Sequence, residues 1–248
     1  MQISICVLTF NSDKTLKPLL DQLLKLNAEM VVVDSGSSDR TLDIIHKASE
    51  QGNVRRIDRP YQCHSDQMNY AIDQASHDWV LCMDSDEIPD DQFILELQGL
   101  LKSFDPEQTG QAGRIKRNWY VLGRKVHAMY PCSSPDYVVR FFNRKQCRFN
   151  DSVVDDKVIG FDQDFILAGE VDHHTFETQE AMDRKLDAYV RRLKSGSAPR
   201  KNSTPRAIAS AIAAFWKWYF VKQAYLDGIV GIKTARYAAQ YSYRKYKV

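Results

Sequence analysis

The stretch Trp79-Val80-Leu81-Cys82-Met83-Asp84-Ser85-Asp86-Glu87 decides how the rest of the chain is read. An apolar run of this length suits a strand buried on both faces. Such a strand does not end in three carboxylates unless something cationic gathers there. Asp84 and Asp86 are two apart, so in an extended segment both side chains leave on one side and can share an ion or its water shell. Hard oxygen ligands suit Mg²⁺ or Mn²⁺, which commonly sit on one or two carboxylates plus the phosphates of a substrate. The competing reading is an acidic, solvated turn, since a bare Asp-x-Asp is common.

Upstream of this stretch, apolar runs and helical stripes alternate. Ile3 to Phe10 reads as a strand, followed by the helix-start cluster Asn11-Ser12-Asp13. Leu16, Leu19, Leu20, Leu23 and Leu24 then recur at helical spacing, with Pro18 in the first turn, where a missing N–H does no harm. Met30 to Val33 is a second strand, ending at Asp34-Ser35-Gly36-Ser37-Ser38-Asp39, and a helix through Leu42, Ile45 and Ala48 follows. A weaker strand, Asn53 to Asp58, leads to a helix from about Ser65 to Ala75. Four strand–helix alternations predict a parallel, Rossmann-like sheet, in which ligands collect beyond the carboxyl ends of the strands. Thr9 and Asn11, Asp34 and Ser35, and Asp84 to Glu87 all fall there. Asn11 and Ser37 or Ser38 also suit helix caps, and a capped helix N-terminus itself favours phosphate. With no G-x-G-x-x-G and no P-loop motif, dinucleotide redox chemistry and P-loop hydrolysis lose support.

Downstream the pattern changes. A helix is expected over about Asp91 to Leu101. Antiparallel strands are expected over Ile115 to Leu122, Lys125 to Met129, Tyr137 to Asn143 and Gln146 to Phe149. Val153 to Val158 and the run Phe165 to Val171, ending at Asp172-His173-His174, complete this region. A helix over about Thr178 to Leu193 and a linker from Ser195 to Thr204 follow.

The totals narrow the classes. The chain has 248 residues, 44% hydrophobic and 27% charged, enough for one large core with an appended element. Five cysteines without a C-x-x-C pair argue for reduced thiols and against a thiolate zinc site. No secretory signal and no membrane-spanning run is read, so a cytoplasmic protein is expected. The net charge of +2 hides an asymmetry: from Arg184 onward stand 15 Lys or Arg against two acids, Asp187 and Asp227. An anionic partner for this tail, nucleic acid or a membrane surface, is implied. Ile208, Ile212, Phe215, Trp216, Tyr219 and Phe220 form a helical stripe with Arg206, Lys217 and Lys222 off it. The stripe suits a membrane interface, or docking on the body of the protein.

The order and spacing of these pieces resemble the family 2 glycosyltransferases of the GT-A fold. The bacterial branch that adds glucose or a similar sugar to the inner core of lipopolysaccharide is the most similar. The residues that carry the resemblance are Ile3 to Asn11, Val31 to Thr41, Trp79 to Glu87, Arg114 to Gly123, Tyr130-Pro131, Ser134 to Phe142 and Leu226 to Gly231. The resemblance implies an α/β fold: a nucleotide-binding half over residues 1–101, an acceptor-side mixed β half over 102–194, and a basic helical extension over 195–248. It further implies a UDP-sugar donor, a lipid-linked saccharide acceptor such as the lipopolysaccharide core, Mn²⁺ or Mg²⁺, and inversion at the anomeric carbon. Thr9, Asn11, Asp34, Ser35 and Asn69 would contact the nucleotide sugar, as would Asp84, Ser85 and Arg140. Asp84, Asp86 and His173 would hold the metal. The general base would be Asp156, in an Asp155-Asp156 pair where relatives show His-Glu, with Asp136 in reserve.

Each assignment has a plainer alternative: Arg140 as a structural ion pair, His173 as a packed histidine, either carboxylate as an exposed turn residue. The sequence departs from the family in Gln62-Cys63-His64-Ser65-Asp66-Gln67-Met68-Asn69, where Met68 replaces a basic residue. Two rival readings are a nucleotidyltransferase, which would release pyrophosphate, and a nucleic-acid-binding module built on the tail. The tail has no base-reading motif, so no nucleic acid is expected. The protein is expected to sit peripherally on the cytoplasmic face of the inner membrane.

Overall fold

The computed structural model describes residues 1–152, 156–196 and 203–247. Val153, Val154 and Asp155 of the expected strand, and residues 197–202 of the expected linker, lie outside the described residues.

Strand and helix alternate as expected through β1 (Ser4–Thr9), α1 (Leu16–Leu23), β2 (Glu29–Asp34), α2 (Thr41–Ser49), β3 (Val54–Asp58), α3 (His64–Asp73) and β4 (Trp79–Asp84). After them come β5 (Glu87–Pro89), α4 (Asp91–Ser103), β6 (Gln111–Val121), β7 (Arg124–Lys125), β8 (Ala128–Met129) and β9 (Cys132–Ser133). Next are β10 (Asp136–Asn143), β11 (Arg148–Phe149), β12 (Val158–Ile159), β13 (Gln163–Ile166) and β14 (Val171–Phe176). The helices α5 (Gln179–Gly196), α6 (Thr204–Trp216) and α7 (Gly228–Arg244) close the chain.

The main sheet has the order β3-β2-β1-β4-β10-β6-β14-β5. Its first four strands are parallel, and β10 joins β4 antiparallel. The chain divides into two compact units, Met1–Arg117 with Tyr137–His173, and Asn118–Asp136 with His174–Val248.

In the first unit, alternation along the strands builds two core layers. Ile5, Val7, Val32, Leu81 and Met83 join the buried stripe of α1 and Phe93, Ile94 and Leu97 of α4. Cys6, Leu8, Val31, Val33, Val80 and Cys82 face Met68, Ala71 and Ile72 of α3. Both faces being covered, the strands read as unbroken apolar runs rather than as an alternating pattern.

Three expectations need correction. The expected strand Lys125 to Met129 is broken at Val126 and His127, between β7, which pairs with β6, and β8, which pairs with β9. Phe165 to Val171 is not one strand, because Gly169 at φ +88° turns the chain between β13 and β14. A Cβ there would stand 2.3 Å from the Phe93 nitrogen, so only glycine lets this turn lie against α4. β13 also pairs parallel with β6, not antiparallel, since the chain passes through β10 to β12 before returning.

In the second unit, Met182, Leu186 and Val190 of α5 pack with Trp119, Val121 and Tyr237. α6 and α7 form an antiparallel hairpin. Arg206 near the start of α6 lies 5.2 Å from the Tyr246 ring, and Lys247 donates to the Thr204 hydroxyl at 2.6 Å. The stripe expected along α6 divides in two. Phe215 and Tyr219 lean on Trp218, Ala235 and Ala238, while Ile208, Ile212, Trp216 and Phe220 face outward. Among the described residues no helix is long and apolar enough to cross a membrane.

Candidate active site

The period of two that buries β4 also aims its last residue. Val80 and Cys82 face α3, and the same alternation carries Asp84 to that side, where His64 opens the helix. His64 Nε2 lies 2.8 Å from Asp84 Oδ1, and its Nδ1 lies 2.7 Å from Asp156 Oδ2. The imidazole thus bridges two carboxylates. Burial works against its charge, but Asp84 and Asp156 outweigh that and push its pKa up to about 10. Burial likewise opposes ionisation of both aspartates, and the cations beside them win. His64 and Arg140 hold Asp84 well below the usual carboxylate range, and His64 lowers Asp156.

Arg140 comes from the strand antiparallel to β4. Val138 and Phe141 pack on one side of the sheet, Val139 and Phe142 on the other. That three-residue spacing shows the alternation slipping by one at Arg140. The guanidinium donates from Nη2 to Asp84 Oδ2 and to Glu87 Oε1, both at 2.8 Å. Glu87 is fully buried, accepts from Arg117 Nη1 at 2.7 Å, and receives the Asp84 backbone N–H at 3.0 Å. A buried charge of this kind persists only when paired and hydrogen-bonded. The cations demanded by the acidic end of β4 are therefore first of all Arg140, Arg117 and His64. The sequence alone gives no role to His64, Glu87 or Arg117. The three clustered carboxylates were the signal available, and they specify a need for positive charge without naming its source.

Asp86 stands in the turn between β4 and β5. β5 runs antiparallel to β14, with Glu87 opposite His173, and this register brings His173 Nε2 to 3.4 Å from Asp86 Oδ2. A carboxylate oxygen and an imidazole nitrogen side by side are a fitting donor pair for Mn²⁺ or another divalent ion. No three of His, Cys, Asp and Glu form a ligating cluster among the described residues. An ion on Asp86 and His173 would complete its shell from substrate oxygens or water, the usual habit of Mg²⁺ and Mn²⁺ on phosphate substrates.

The loops after β1, β2 and β4 are laced together. Asp34 accepts from the Gly36 and Ser37 N–H groups at 2.9 and 2.8 Å. Asn11, at φ +48°, donates its N–H to the Ser37 hydroxyl and accepts from the Ser38 N–H, each at 2.8 Å. Asn11, Ser37 and Ser38 cap no helix, for α1 begins after Thr15 and α2 after Arg40. Ser85 and Ser12 join hydroxyls at 2.7 Å, and Gln67 donates to Ser35 at 3.2 Å. Thr9 is buried at the end of β1, and its hydroxyl has no hydrogen-bond partner among the described residues.

The structure therefore gathers Thr9, Asn11, Asp34, Ser35, Asp84 and Ser85 at the strand ends, with Arg140 and Asp156 joined to Asp84 directly or through His64. Asn69 is engaged elsewhere: its amide exchanges two bonds with the Phe149 backbone, at 2.9 and 3.0 Å, and ties α3 to β11. Asp136 opens β10 and belongs to the second unit. Asp155 lies outside the described residues.

The family model described as glycosyl transferase family 2 matches residues 4–166, more than half of the chain, and the chain belongs to that family. Its mixed sheet with the parallel β3-β2-β1-β4 core is the GT-A fold. Over 128 residues it is 30% identical to the poly-β-1,6-N-acetyl-D-glucosamine synthase of Staphylococcus aureus, covering 49% of this chain and 31% of that protein. The matched part is thus under a third of that relative's length. An uncharacterized glycosyltransferase of Rickettsia typhi is 25% identical over 244 residues, 93% of this chain and 80% of that one. The fold is also that of S. aureus TarS 1–349, crystallised with UDP-GlcNAc, at a TM-score of 0.51 and 17% identity over all of this chain and 90% of that one.

Proposed function

We propose that this chain is an inverting, metal-dependent hexosyltransferase. It would move a sugar, glucose by the resemblance drawn above, from a UDP-linked donor to a lipid-linked bacterial saccharide such as the lipopolysaccharide core. The observation that carries this reading is the acidic turn after β4. There Asp84 is fixed by His64 and Arg140 while Asp86 faces His173, beside three interlaced strand-end loops.

Thr9, Asn11, Asp34 and Ser35 would receive the nucleoside. Asp86 and His173 would hold Mn²⁺ or Mg²⁺, and Asp84 would share it on releasing one of its two cationic partners. A bound divalent ion supplies Lewis-acid stabilisation of the charge that develops on the diphosphate. Arg140 adds a fixed positive charge at the same place. Asp156 is the general base: it is ionised at neutral pH, and His64 holds Oδ2, so the acceptor's hydroxyl proton would pass to the other oxygen. The acceptor would be met at the cytoplasmic membrane face, where the basic tail finds anionic lipid.

Release of UDP, measured with Mn²⁺, with Mg²⁺ and with EDTA, tests the proposal. The S. aureus relatives carry N-acetylglucosamine in a name and in a crystal complex, so UDP-GlcNAc belongs in the donor panel beside UDP-glucose. Asp86→Asn should lower turnover by about 100-fold or more; unchanged turnover in that variant removes the metal assignment. Pyrophosphate release from a nucleoside triphosphate would instead establish the nucleotidyltransferase reading.

A further inference from the structure

The outward face of the α6–α7 hairpin is the largest concentration of unburied apolar side chains in the described chain. Ile208, Ile212, Trp216 and Phe220 recur at every fourth residue and are all exposed, Trp216 to 62%. Trp216 and Phe220 touch, with ring centroids 4.3 Å apart. The row does not stop with α6. The helix widens into π-helical turns at Lys217–Val221, and the connection to α7 adds exposed Val221, Tyr225, Leu226 and Ile229. A soluble surface seldom keeps so many large apolar groups contiguous without a partner.

The tip that presents them is built to a narrow tolerance. Gly228 has φ +60°, and a Cβ on Gly231 would fall 1.7 Å from the Ala224 carbonyl oxygen. Asp227 is clamped by His127, which reaches it through its backbone N–H at 2.9 Å and its Nδ1 at 2.6 Å. The apolar residues of the tip thus stand on a fixed support. The surrounding charge is one-sided: residues 203–247 contain eight Lys or Arg and a single carboxylate, Asp227, which His127 occupies. Lys217, exposed, and Lys222, half-buried, are interspersed with the apolar row along the chain and lie off its stripe.

We propose that this face is an interfacial docking surface for an anionic phospholipid bilayer. Trp216, Phe220, Val221, Leu226 and Ile229 enter the boundary between headgroups and acyl chains, while Lys217 and Lys222 meet lipid phosphates. A basic rim around aromatic and aliphatic groups is the chemistry of such a surface. It deepens the membrane part of the function proposed above, and it specifies insertion of a shaped tip rather than attraction of a charged tail alone.

Flotation of the full chain with phosphatidylcholine vesicles, with and without phosphatidylglycerol, tests it in the absence of donor and acceptor. Its failure and the failure of the transferase reading are therefore distinguishable. The wild type should float with the anionic vesicles and keep part of that binding at high salt. Trp216→Ser combined with Phe220→Ser and Leu226→Ser should weaken vesicle binding about 10-fold or more. Lys217→Gln with Lys222→Gln should weaken it and reduce its salt dependence. Trp216, Lys217, Phe220 and Leu226 are exposed, Lys222 is half-buried, and none belongs to the expected donor site, so thermal unfolding and UDP release should stay close to wild-type values in both variants. Absence of wild-type binding, or equal binding by the apolar variant, overturns the proposal. So does a wild-type dimer in light scattering that the apolar variant converts to monomer, for the face would then be a contact between copies.

Discussion

At the scale of single residues, the site is a charge network in which each carboxylate at the end of β4 has a different answer. Glu87 is buried and shared by Arg140 and Arg117, so Arg140→Ala breaks one of its two buried ion pairs and leaves Arg117 alone to balance it, which should cost about 3–5 kcal/mol in urea unfolding. His64 gives the pH dependence. Its pKa rises from 6.5 to about 10 on folding, so its stabilising contribution is complete below about pH 6.5 and fades as pH climbs through 10. In EDTA, the Tm advantage of the wild type over His64→Asn should therefore be constant at lower pH and narrow between pH 7 and 10. Asp84 and Asp156 have lowered values, so their contribution holds above the ordinary carboxylate range and is lost on acidification. An advantage that instead widens toward pH 10 would show that His64 is neutral in the folded protein.

Secondary elements carry constraints that periodicity does not express. α4 is capped by Asp90, whose side chain accepts from the Phe93 N–H at 2.7 Å; Asp90→Ala should cost roughly 0.5–2 kcal/mol. Two glycines in helices separate packing from propensity. Gly99 in α4 has open space around an added Cβ, so Gly99→Ala should stabilise by about 0.5–1 kcal/mol. Gly231 in α7 faces the Ala224 carbonyl, and alanine there should destabilise by about 1–3 kcal/mol or more, both read from thermal unfolding. The sequence offered the same letter at both positions. Only the neighbour at Gly231 distinguishes them, and that neighbour is set by the turn between α6 and α7.

Across the whole molecule, the expected donor-binding residues and the exposed apolar row fall in different units. The expected donor-binding residues Thr9, Asn11, Asp34 and Ser35 belong to the first unit, and the exposed apolar row belongs to the second. Hydrogen exchange should separate the two. UDP with Mn²⁺ should slow exchange in the loops after β1, β2 and β4, whereas anionic vesicles should slow it at the exposed tip between α6 and α7. At 100 times its Kd, UDP should also stabilise the protein by about 2.7 kcal/mol in thermal unfolding. Protection by UDP confined to the hairpin would displace the donor site from the strand ends.

The local pattern of the chain was enough to determine the parallel β1 to β4 core, because strands buried on both faces must read as apolar runs and the helices between them as stripes. It also determined that the end of β4 is a place of concentrated negative charge. It could not say what answers that charge. Arg140, Arg117 and His64 are 56, 30 and 20 residues from Asp84 or Glu87, and it takes the antiparallel entry of β10, the slip at Arg140, β6 beside β10 and the start of α3 to bring them in. The outward turn of Trp216 beside the inward lean of Phe215 was likewise a tertiary decision. A helical stripe wider than its partner helix must leave one edge in solvent, and the packing of α7 against α6 chose which.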